Sequence, residues 1–454
     1  MDAANTMRKR PLSVRTRDSG AASAMAEDGE SLGEPVSPSA RLVEEYYIIV
    51  IIGFAAPVNQ STGGTAIGAK IASSPRFQSI QATDKDGTLR WVRTTVDLDY
   101  HVIYPKLDTV DVEVNPDLAV EDYVASLSTK PMDHTRPLWE FHILDFPTSE
   151  ATATAVMRVH HSLSDGISLL MLLLYCAQSA ADPSKPPVLP PLPARTGALY
   201  VQPRPPLSVG SLAFAKWLWS FVLLAWYTMW DAASFVCTIL FWKDTHTLFT
   251  RTDNTNRRQK RIVHRGLSLD DVKFIEDAMN CECVSMIQSG KGNDVKWGNQ
   301  LGFIILPVQI AMHRDPLDYV RKAKNTTGRK KSSLEVAFIH VVAEVFFKVF
   351  GRKAGAYIIH RLFSNTTMML SNMIGPAEQV ELCGHPVVFI APSQYGLPHA
   401  INVNFKSYVN IVRVVLAMDE AQFPHGHELL DDFVDSLRRI KDAAEKLGKH
   451  ERKA

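Results

Sequence analysis

The feature that most constrains the fold of this 454-residue chain is a proline-rich segment near its middle. Nine of the 26 prolines lie between Pro183 and Pro206. Proline lacks a backbone donor and fixes φ, so neither a helix nor a central strand tolerates that density. A chain of this length also exceeds the usual size of one hydrophobic core. The segment therefore predicts two packed halves joined by a crossing linker at residues 183–206.

Strand and helix patterns occur in both halves, which predicts a mixed α/β fold. Runs of β-branched and aromatic residues predict strands in the first half. They lie at Glu45–Phe54, Leu89–Tyr104, Leu138–Leu144 and Ala151–Val159. In the second half, "SSLEVAFIHVVAEVFFKVFG" predicts a long helix that Gly351 ends, and an amphipathic helix is expected from about Glu428 to Leu447. Further strands are expected around "VVFIAP" and "YVNIVRVVLAMD".

Composition divides the chain further. The first forty residues are rich in Ala, Ser, Asp, Glu and Arg and lack the apolar stretch of a signal peptide, so a disordered extension is expected there. The predicted organisation is an extension at 1–40, an N-terminal half at 41–182, the linker at 183–206, a hydrophobic segment at 207–249 and a C-terminal half at 250–454.

The hydrophobic segment is the most membrane-like part of the chain. Between Lys216 and Lys243, uncharged runs of 14 and 11 residues are separated by Asp231, and five of the eight tryptophans lie there. A membrane-spanning helix would place Asp231 near mid-bilayer, at a cost of roughly 2.5–3.5 kcal/mol. Tryptophan prefers the headgroup interface, which favours a helix lying in or dipping into one leaflet. A membrane span and a buried soluble helix remain the alternatives.

Charge and cysteine content exclude some classes of function. Lys and Arg number 49 against 48 Asp and Glu, so no overall charge favours nucleic acid, and we expect no nucleic-acid partner. The five cysteines are scattered without a CxxC pair, which predicts reduced thiols and no metal site. Neither a GxSxG elbow nor a Walker loop is present.

The motif whose residues could take part in catalysis is "RVHHSLSDG", Arg158–Gly166, between a predicted strand and an apolar helix. Histidine can accept and return a proton near neutral pH, so His161 is the candidate general base. Asp165 is expected to support the turn, for example by pairing with an arginine, and Gly166 to remove a Cβ where the helix packs closely. The alternative is that the two histidines have a structural role only and form hydrogen bonds at the end of the strand.

HHxxxDG and four further segments carry a family resemblance. The segments are "EPVSPSARL", "TRPLWEFHIL", "KWGNQLGFIILP" and "SNMIGPAEQVELCGHPV". In composition and order they are similar to the plant-type wax ester synthase/diacylglycerol acyltransferases of the CoA-dependent acyltransferase superfamily. The resemblance covers nearly everything from Glu34 onward.

The resemblance implies a fold and a reaction. The fold is two similar α/β, CoA-dependent acyltransferase-like halves joined by a crossover, with a tunnel between them that CoA and lipid enter from different faces. The reaction moves an acyl group from acyl-CoA, a co-substrate, to a long-chain fatty alcohol or a diacylglycerol, with no further cofactor and no metal. His161 would take the hydroxyl proton as the oxygen attacks the thioester.

The resemblance also implies roles for other residues. His160 and Gly166 would shape the site, and Asp165 would be structural. Pro137, Leu138 and Trp139 would line or support the acyl region, with simple core packing as the alternative for Trp139. Asn372, Gly375 and Pro376 would form a turn of the second half that faces the cleft.

One departure from the family pattern opens a second hypothesis. The family usually has a helix and a strand before the "KWGN" segment, whereas residues 281–294 here join the two sides directly, so the C-terminal half is expected to be shortened. A non-catalytic or weakly active isoform that binds acyl-CoA or regulates a full-length partner is therefore the alternative function. The expected location is the endoplasmic reticulum membrane with the site facing the cytosol, and the plasma membrane is the alternative.

Overall fold

A computed structural model gives the conformation of most of the chain. It describes residues 33–37, 40, 46–59, 63–182, 184–185, 187, 189, 212–251, 258–279, 304–308, 312–331 and 333–451. Most of the predicted extension and linker, and all of the segment at 281–294, lie outside these residues.

The larger sheet has seven strands and combines both parts of the chain. They are β1 (Tyr47–Phe54), β4 (Val102–Ile103), β5 (Trp139–Leu144), β6 (Ala153–His160), β7 (Ala177–Ser179), β10 (Val380–Leu382) and β11 (His385–Tyr395). Their order across the sheet is β4-β5-β6-β1-β11-β10-β7. Strands β1 and β6 are buried along their whole lengths, as expected of central strands covered on both faces.

At the centre of this sheet, a strand from the second half of the chain pairs with a strand from the first half. β11, from beyond residue 380, pairs antiparallel with β1 from Tyr47↔Tyr395 to Phe54↔Val387. On its other edge β1 pairs antiparallel with β6, from Tyr47↔His160 to Phe54↔Ala153. A strand of the second half therefore completes the sheet that carries the histidines.

A four-stranded sheet forms the second layer. Its members are β8 (Lys260–Ser268), β9 (Met369–Met373), β12 (Ile401–Tyr408) and β13 (Ile411–Asp419), in the order β8-β13-β12-β9. Only β12 and β9 in this sheet run parallel. Val415 and Ala417 of β13 belong to the main core, so one face of this layer packs toward the larger sheet. A separate hairpin joins β2 (Ser79–Thr83) to β3 (Leu89–Arg93).

Ten α-helices lie in the described part of the chain. They are α1 (Thr65–Ala72), α2 (Leu98–His101), α3 (Thr109–Val114), α4 (Pro116–Leu127), α5 (Gly166–Cys176), α6 (Leu212–Leu240), α7 (Leu269–Ala278), α8 (Leu317–Lys331), α9 (Glu335–Ser364) and α10 (Gly426–Glu451). The outer face of the second layer is covered by α10, where Phe433 meets Phe405 of β12 edge to face. The amphipathic C-terminal helix is thus confirmed.

One sequence prediction was wrong in detail, and another needs a closer description. Residues 89–104 were expected to form a strand, but only β3 and the two residues of β4 are extended. Between them the Asp97 side chain accepts a hydrogen bond from the Asp99 amide (3.2 Å) and begins α2. Gly351 was expected to end a helix, and it does end the first of two helical stretches: its backbone is not helical (φ 77°), and a second stretch continues beyond this kink to Ser364, so that α9 consists of both.

Candidate active site

The HHxxxDG motif lies on the predicted strand-to-helix turn. Strand β6 ends at His160, helix α5 begins at Gly166, and the residues between them form the turn. The His161 amide donates to the carbonyl of Tyr46 (2.7 Å), and the Leu163 amide donates to the carbonyl of His160 (3.0 Å). The turn is therefore fixed by one backbone hydrogen bond to the residue that precedes β1 and by one within the turn itself.

His160 is enclosed by polar and aromatic groups. Its Nδ1 lies 2.7 Å from Ser162 Oγ and accepts from the Ser162 amide (3.2 Å). A backbone amide can only donate, so the proton of the neutral ring lies on Nε2. Tyr47 and His134 meet the ring edge to face, and Gln81 donates to Ser162 Oγ (2.8 Å). These contacts hold the first histidine in one orientation.

Asp165 and Gly166 begin helix α5. Asp165 Oδ1 accepts from the Ser168 amide (2.8 Å), which is the usual bond of an N-cap residue. A Cβ placed on Gly166 would lie 3.3 Å from Met373 Sδ, so the first turn of α5 packs closely against β9 of the other layer. His161 itself is buried, with about 5% of its surface exposed.

Leu138 and Trp139 lie behind the histidines. The Leu138 carbonyl accepts from the His160 amide (3.0 Å). Trp139 is 1% exposed, donates from Nε1 to the Phe77 carbonyl (2.9 Å) and stacks on His101 at 4.4 Å. The Trp139 amide donates back to the Pro137 carbonyl (2.9 Å). These are core contacts, the alternative left open for Trp139.

The predicted second-half turn wraps the end of β12. Asn372 on β9 lies opposite Phe405. The Gly375 amide donates to Ser407 Oγ (3.2 Å), and the Pro376 carbonyl accepts from the Val409 amide (3.0 Å). A Cβ on Gly375 would lie 2.2 Å from the Ser407 carbonyl oxygen, so this position requires glycine.

An apolar pocket lies where the two motifs meet. Its walls surround about 450 Å³ of empty space, part of which is open to solvent. Its lining is mostly aliphatic. The lining residues are Ile48, Val50, Gly166, Leu169, Leu170, Leu173, Ser371, Met373, Ile390, Pro392, Ser393, Gln394, Asn404 and Lys406. Gly166 of the first motif and Met373 of the second thus share one cavity.

Sequence reasoning missed Lys406, the one ionisable group in this lining. Its side chain is about 1% exposed, and burial lowers the pKa of Lys406 to about 7. Its Nζ donates to the Ile374 carbonyl (3.3 Å). The alternation in "INVNFKSY" was the available signal, because it places Asn402, Asn404 and Lys406 on one face of a strand.

The described residues include no group of three or more His, Cys, Asp or Glu side chains that could hold a metal ion. The thiol of Cys176 at the end of α5 is buried, and burial raises its pKa to about 12. A thiol with that pKa is protonated at neutral pH and is a poor nucleophile.

Comparison with known proteins identifies close relatives. The family model of the wax ester synthase/diacylglycerol acyltransferase catalytic domain matches residues 69–286, and the model of the WS/DGAT C-terminal domain matches residues 297–441. Wax ester synthase/diacylglycerol acyltransferase 5 of Arabidopsis thaliana is 34% identical, with 94% of this chain and 97% of the relative covered. That alignment runs over 502 positions, so the relative holds residues with no counterpart in these 454.

Two solved structures show the same fold. The wax ester synthase/diacylglycerol acyltransferase from Marinobacter aquaeolei VT8 superposes with a TM-score of 0.57 at 15% identity, covering 91% of this chain and all of that one. A variant of the starter condensation domain of rhizomide synthetase RzmA, in complex with C8-CoA and Leu-SNAC, gives 0.50 at 11% identity, covering 91% and 94%. The predicted fold of two CoA-dependent acyltransferase-like halves is therefore confirmed.

Proposed function

The chain belongs to the wax ester synthase/diacylglycerol acyltransferase family, and on that premise we propose that it is an acyl-CoA-dependent O-acyltransferase. The acyl group moves from the CoA thioester to the hydroxyl of a long-chain fatty alcohol, giving a wax ester, or of a diacylglycerol, giving triacylglycerol. The observation that carries the proposal is the HHxxxDG turn, whose Gly166 meets Met373 of the opposite layer at an apolar pocket.

His161 acts as the general base in this proposal. It takes the proton from the acceptor hydroxyl as the oxygen forms a bond to the thioester carbon. The carbon–sulfur bond then breaks, and the imidazolium returns the proton to the CoA thiolate. We propose this direct displacement rather than an acyl-enzyme, with acyl-CoA as co-substrate and no further cofactor. Asp165 supports the turn by capping α5.

Substitution of His161 tests the proposed reaction. Purified full-length chain, incubated with labelled acyl-CoA and either acceptor, is expected to form ester. His161→Ala is expected to lower the rate by at least about 10²-fold, the usual contribution of a positioned base. His425→Ala is the matched control, because His425 is 73% exposed at the start of α10. Full activity in His161→Ala with unchanged thermal unfolding would contradict the mechanism.

The same incubations separate the alternative function. A non-catalytic relative would bind acyl-CoA without ester formation in the unsubstituted chain. The match to the catalytic-domain family model does not favour this alternative.

We also propose that the protein works at the cytosolic face of the endoplasmic reticulum membrane, through helix α6. The stretch Phe214–Leu240 is long and apolar enough to cross a membrane, and only 17% of its most apolar window is buried. Trp219, Trp226 and Trp230 are each more than half exposed. Those side chains suit the headgroup interface.

The surroundings of Asp231 support a helix that lies on the membrane rather than one that spans it. The Asp231 carboxylate is buried and pairs with Arg329 and Lys330 at the end of α8 (2.9 Å each). A spanning α6 would draw these cations to mid-bilayer, where charged groups are costly. A lipid surface also matches α9, whose Val341, Val345 and Val349 are exposed.

A further inference from the structure

Strand β12 carries an unusual polar face toward the larger sheet. Asn402, Asn404 and Lys406 alternate along it, and each is less than about 7% exposed. The Asn402 side chain donates to the Gln394 carbonyl (3.4 Å), and the Asn404 side chain donates to Ser393 Oγ (3.2 Å), both on β11. Polar groups are therefore turned into the space between the layers, where aliphatic side chains are the usual filling.

Lys406 is the member of this face that carries a charge and more donors than acceptors. An ammonium has three N–H donors, and the Ile374 carbonyl is the acceptor that Nζ reaches within the described part of the chain. The site is nonetheless built to hold it, since Gly375 leaves room for Cε and Nζ at 2.9 and 3.1 Å from where its Cβ would be. A buried cation with unused donors is expensive unless a ligand supplies acceptors.

The pocket beside Lys406 restricts what that ligand can be. One wall of the pocket is apolar and could contact an alkyl chain. It consists of Leu169, Leu170 and Leu173 of α5 and of Ile48 and Val50 of β1. The alkyl chain of a fatty alcohol can pack against this wall. It supplies no hydrogen-bond acceptor for Lys406, because the hydroxyl of the alcohol is used at the reacting centre. A diacylglycerol brings alkyl chains together with ester carbonyl oxygens close to its free hydroxyl.

We propose that Lys406 is a specificity-determining residue, whose ammonium donates to an ester carbonyl of the acceptor and so favours diacylglycerol over fatty alcohol. This inference rests on the proposed function and names the substrate preference of that same site. Asn404 borders the same end of the pocket and completes its polar edge.

The test compares the two acceptors in the purified full-length chain with one acyl-CoA. The measured quantity is kcat/KM for a diacylglycerol divided by kcat/KM for a fatty alcohol of the same chain length. Lys406→Met, which keeps the volume and removes the donors, is expected to lower this ratio about tenfold or more through a higher KM for diacylglycerol. Lys406→Gln restores one donor group and is expected to give an intermediate ratio.

The controls separate selectivity from general damage. Lys273→Met removes an exposed lysine of α7 and is expected to leave the ratio unchanged. The KM for acyl-CoA is expected to be the same in all variants. An unchanged ratio in Lys406→Met, or an equal loss with both acceptors, would overturn the inference, because Lys406 would then serve the fold or the thioester.

A binding measurement keeps this test independent of turnover. Fluorescent analogues of a diacylglycerol and of a fatty alcohol are titrated without acyl-CoA, and Lys406→Met is expected to weaken binding of the diacylglycerol analogue alone. An unsubstituted chain that forms neither ester would refute the proposed function, whereas equal binding of both analogues by Lys406→Met and the unsubstituted chain would refute the role of Lys406.

Discussion

Gly166 and Gly375 lie where the two motifs come together, and they differ in how much room there is for a Cβ atom. At Gly166 the atom nearest to where a Cβ would lie belongs to the end of the flexible Met373 side chain, at 3.3 Å. At Gly375 it is a backbone oxygen, that of Ser407, at 2.2 Å. A side chain can move at little cost, whereas a paired strand cannot.

Gly375→Ala is therefore expected to destabilise the protein by about 1–3 kcal/mol, and Gly166→Ala by less than about 1 kcal/mol. Chemical unfolding of the two variants, with ester formation measured in parallel, checks this order. Because Gly375 also makes room for Lys406, its variant should lose activity as well as stability. Equal losses of stability in the two variants would contradict the close approach of the Ser407 carbonyl.

Lys406 and Lys260 are both buried with a pKa lowered to about 7, yet substitution should affect them differently. Within the described residues, Lys260 Nζ donates to two carbonyls, those of Leu397 (3.2 Å) and His399 (2.8 Å), while Lys406 Nζ donates to one. Lys406→Met is therefore expected to stabilise the chain at pH 7, by on the order of 2 kcal/mol, and Lys260→Met to give no such gain.

The sign of the pH dependence follows from the lowered pKa. In the unfolded chain Lys406 keeps its proton up to about pH 10.5, whereas in the folded chain it loses it near pH 7. The penalty for burying the charge is thus full below pH 7 and fades as the pH rises toward 10.5. Thermal unfolding of Lys406→Met and the unsubstituted chain should accordingly converge at high pH. A gap that widens with pH would contradict this account.

The two histidines show how much about single residues could be predicted from the sequence. Their place at a strand end follows from the local pattern, and β6 and α5 confirm it. The different surroundings of the pair do not follow, because the rings against His160 come from Tyr47 and His134, which are distant in sequence. The burial of Lys406 could not be predicted for the same reason, since only the packing of the two layers turns its face of β12 toward the interior.

At the scale of elements, helix α6 is attached to the rest of the molecule along one narrow face. Asp231 and Phe235 lie on that face, and Phe235 packs against Ile339 and Leu362 of α9. The Thr228 hydroxyl accepts from the Leu334 amide (3.0 Å). The two long uncharged runs predicted the helix, but a membrane-like sequence does not reveal which side is bound to protein.

Asp231→Ala is expected to loosen α6 from α8 and α9. It would leave Arg329 without this carboxylate and Lys330 with Glu335 alone (2.7 Å), and losing one partner of a buried hydrogen bond costs about 1–3 kcal/mol. Hydrogen exchange of the α6 amides in detergent should therefore rise. Asp318→Ala is the control, because its pair with Arg321 is half exposed and worth at most about 1 kcal/mol. Equal exchange in both variants would contradict an anchoring role for Asp231.

At the scale of the molecule, the proline-rich linker suggested two halves, but their sheets are not separate. Strand β11 lies between β1 and β10, so the sheet bearing the histidines needs residues from both sides of the linker. Composition marks the linker, and alternation marks many of the strands. Pairing between residues 47–54 and 387–395 depends on long-range register, which no local pattern encodes.

The proposed attachment of the molecule to a membrane leads to a last prediction. If α6 lies along one leaflet, its two ends remain on the side of the catalytic body; if it spans, they are on opposite sides. Lys216 and Lys243 flank the apolar run and are both exposed. Lys216→Cys and Lys243→Cys, expressed one at a time in sealed microsomes, are expected to react equally with a membrane-impermeant maleimide, relative to the unsubstituted chain.

Labelling of one end only until detergent is added would instead indicate a span. The equal result is expected on physical grounds, because Asp231 near the centre of α6 is held by two cations of α8. Those cations belong to a helix of basic composition, "LDYVRKAKNTTGRKK", whose charges would be costly in hydrocarbon. On the proposed membrane, the ion pairs would therefore keep α6 at the depth of α8, with its exposed tryptophans directed toward the headgroups.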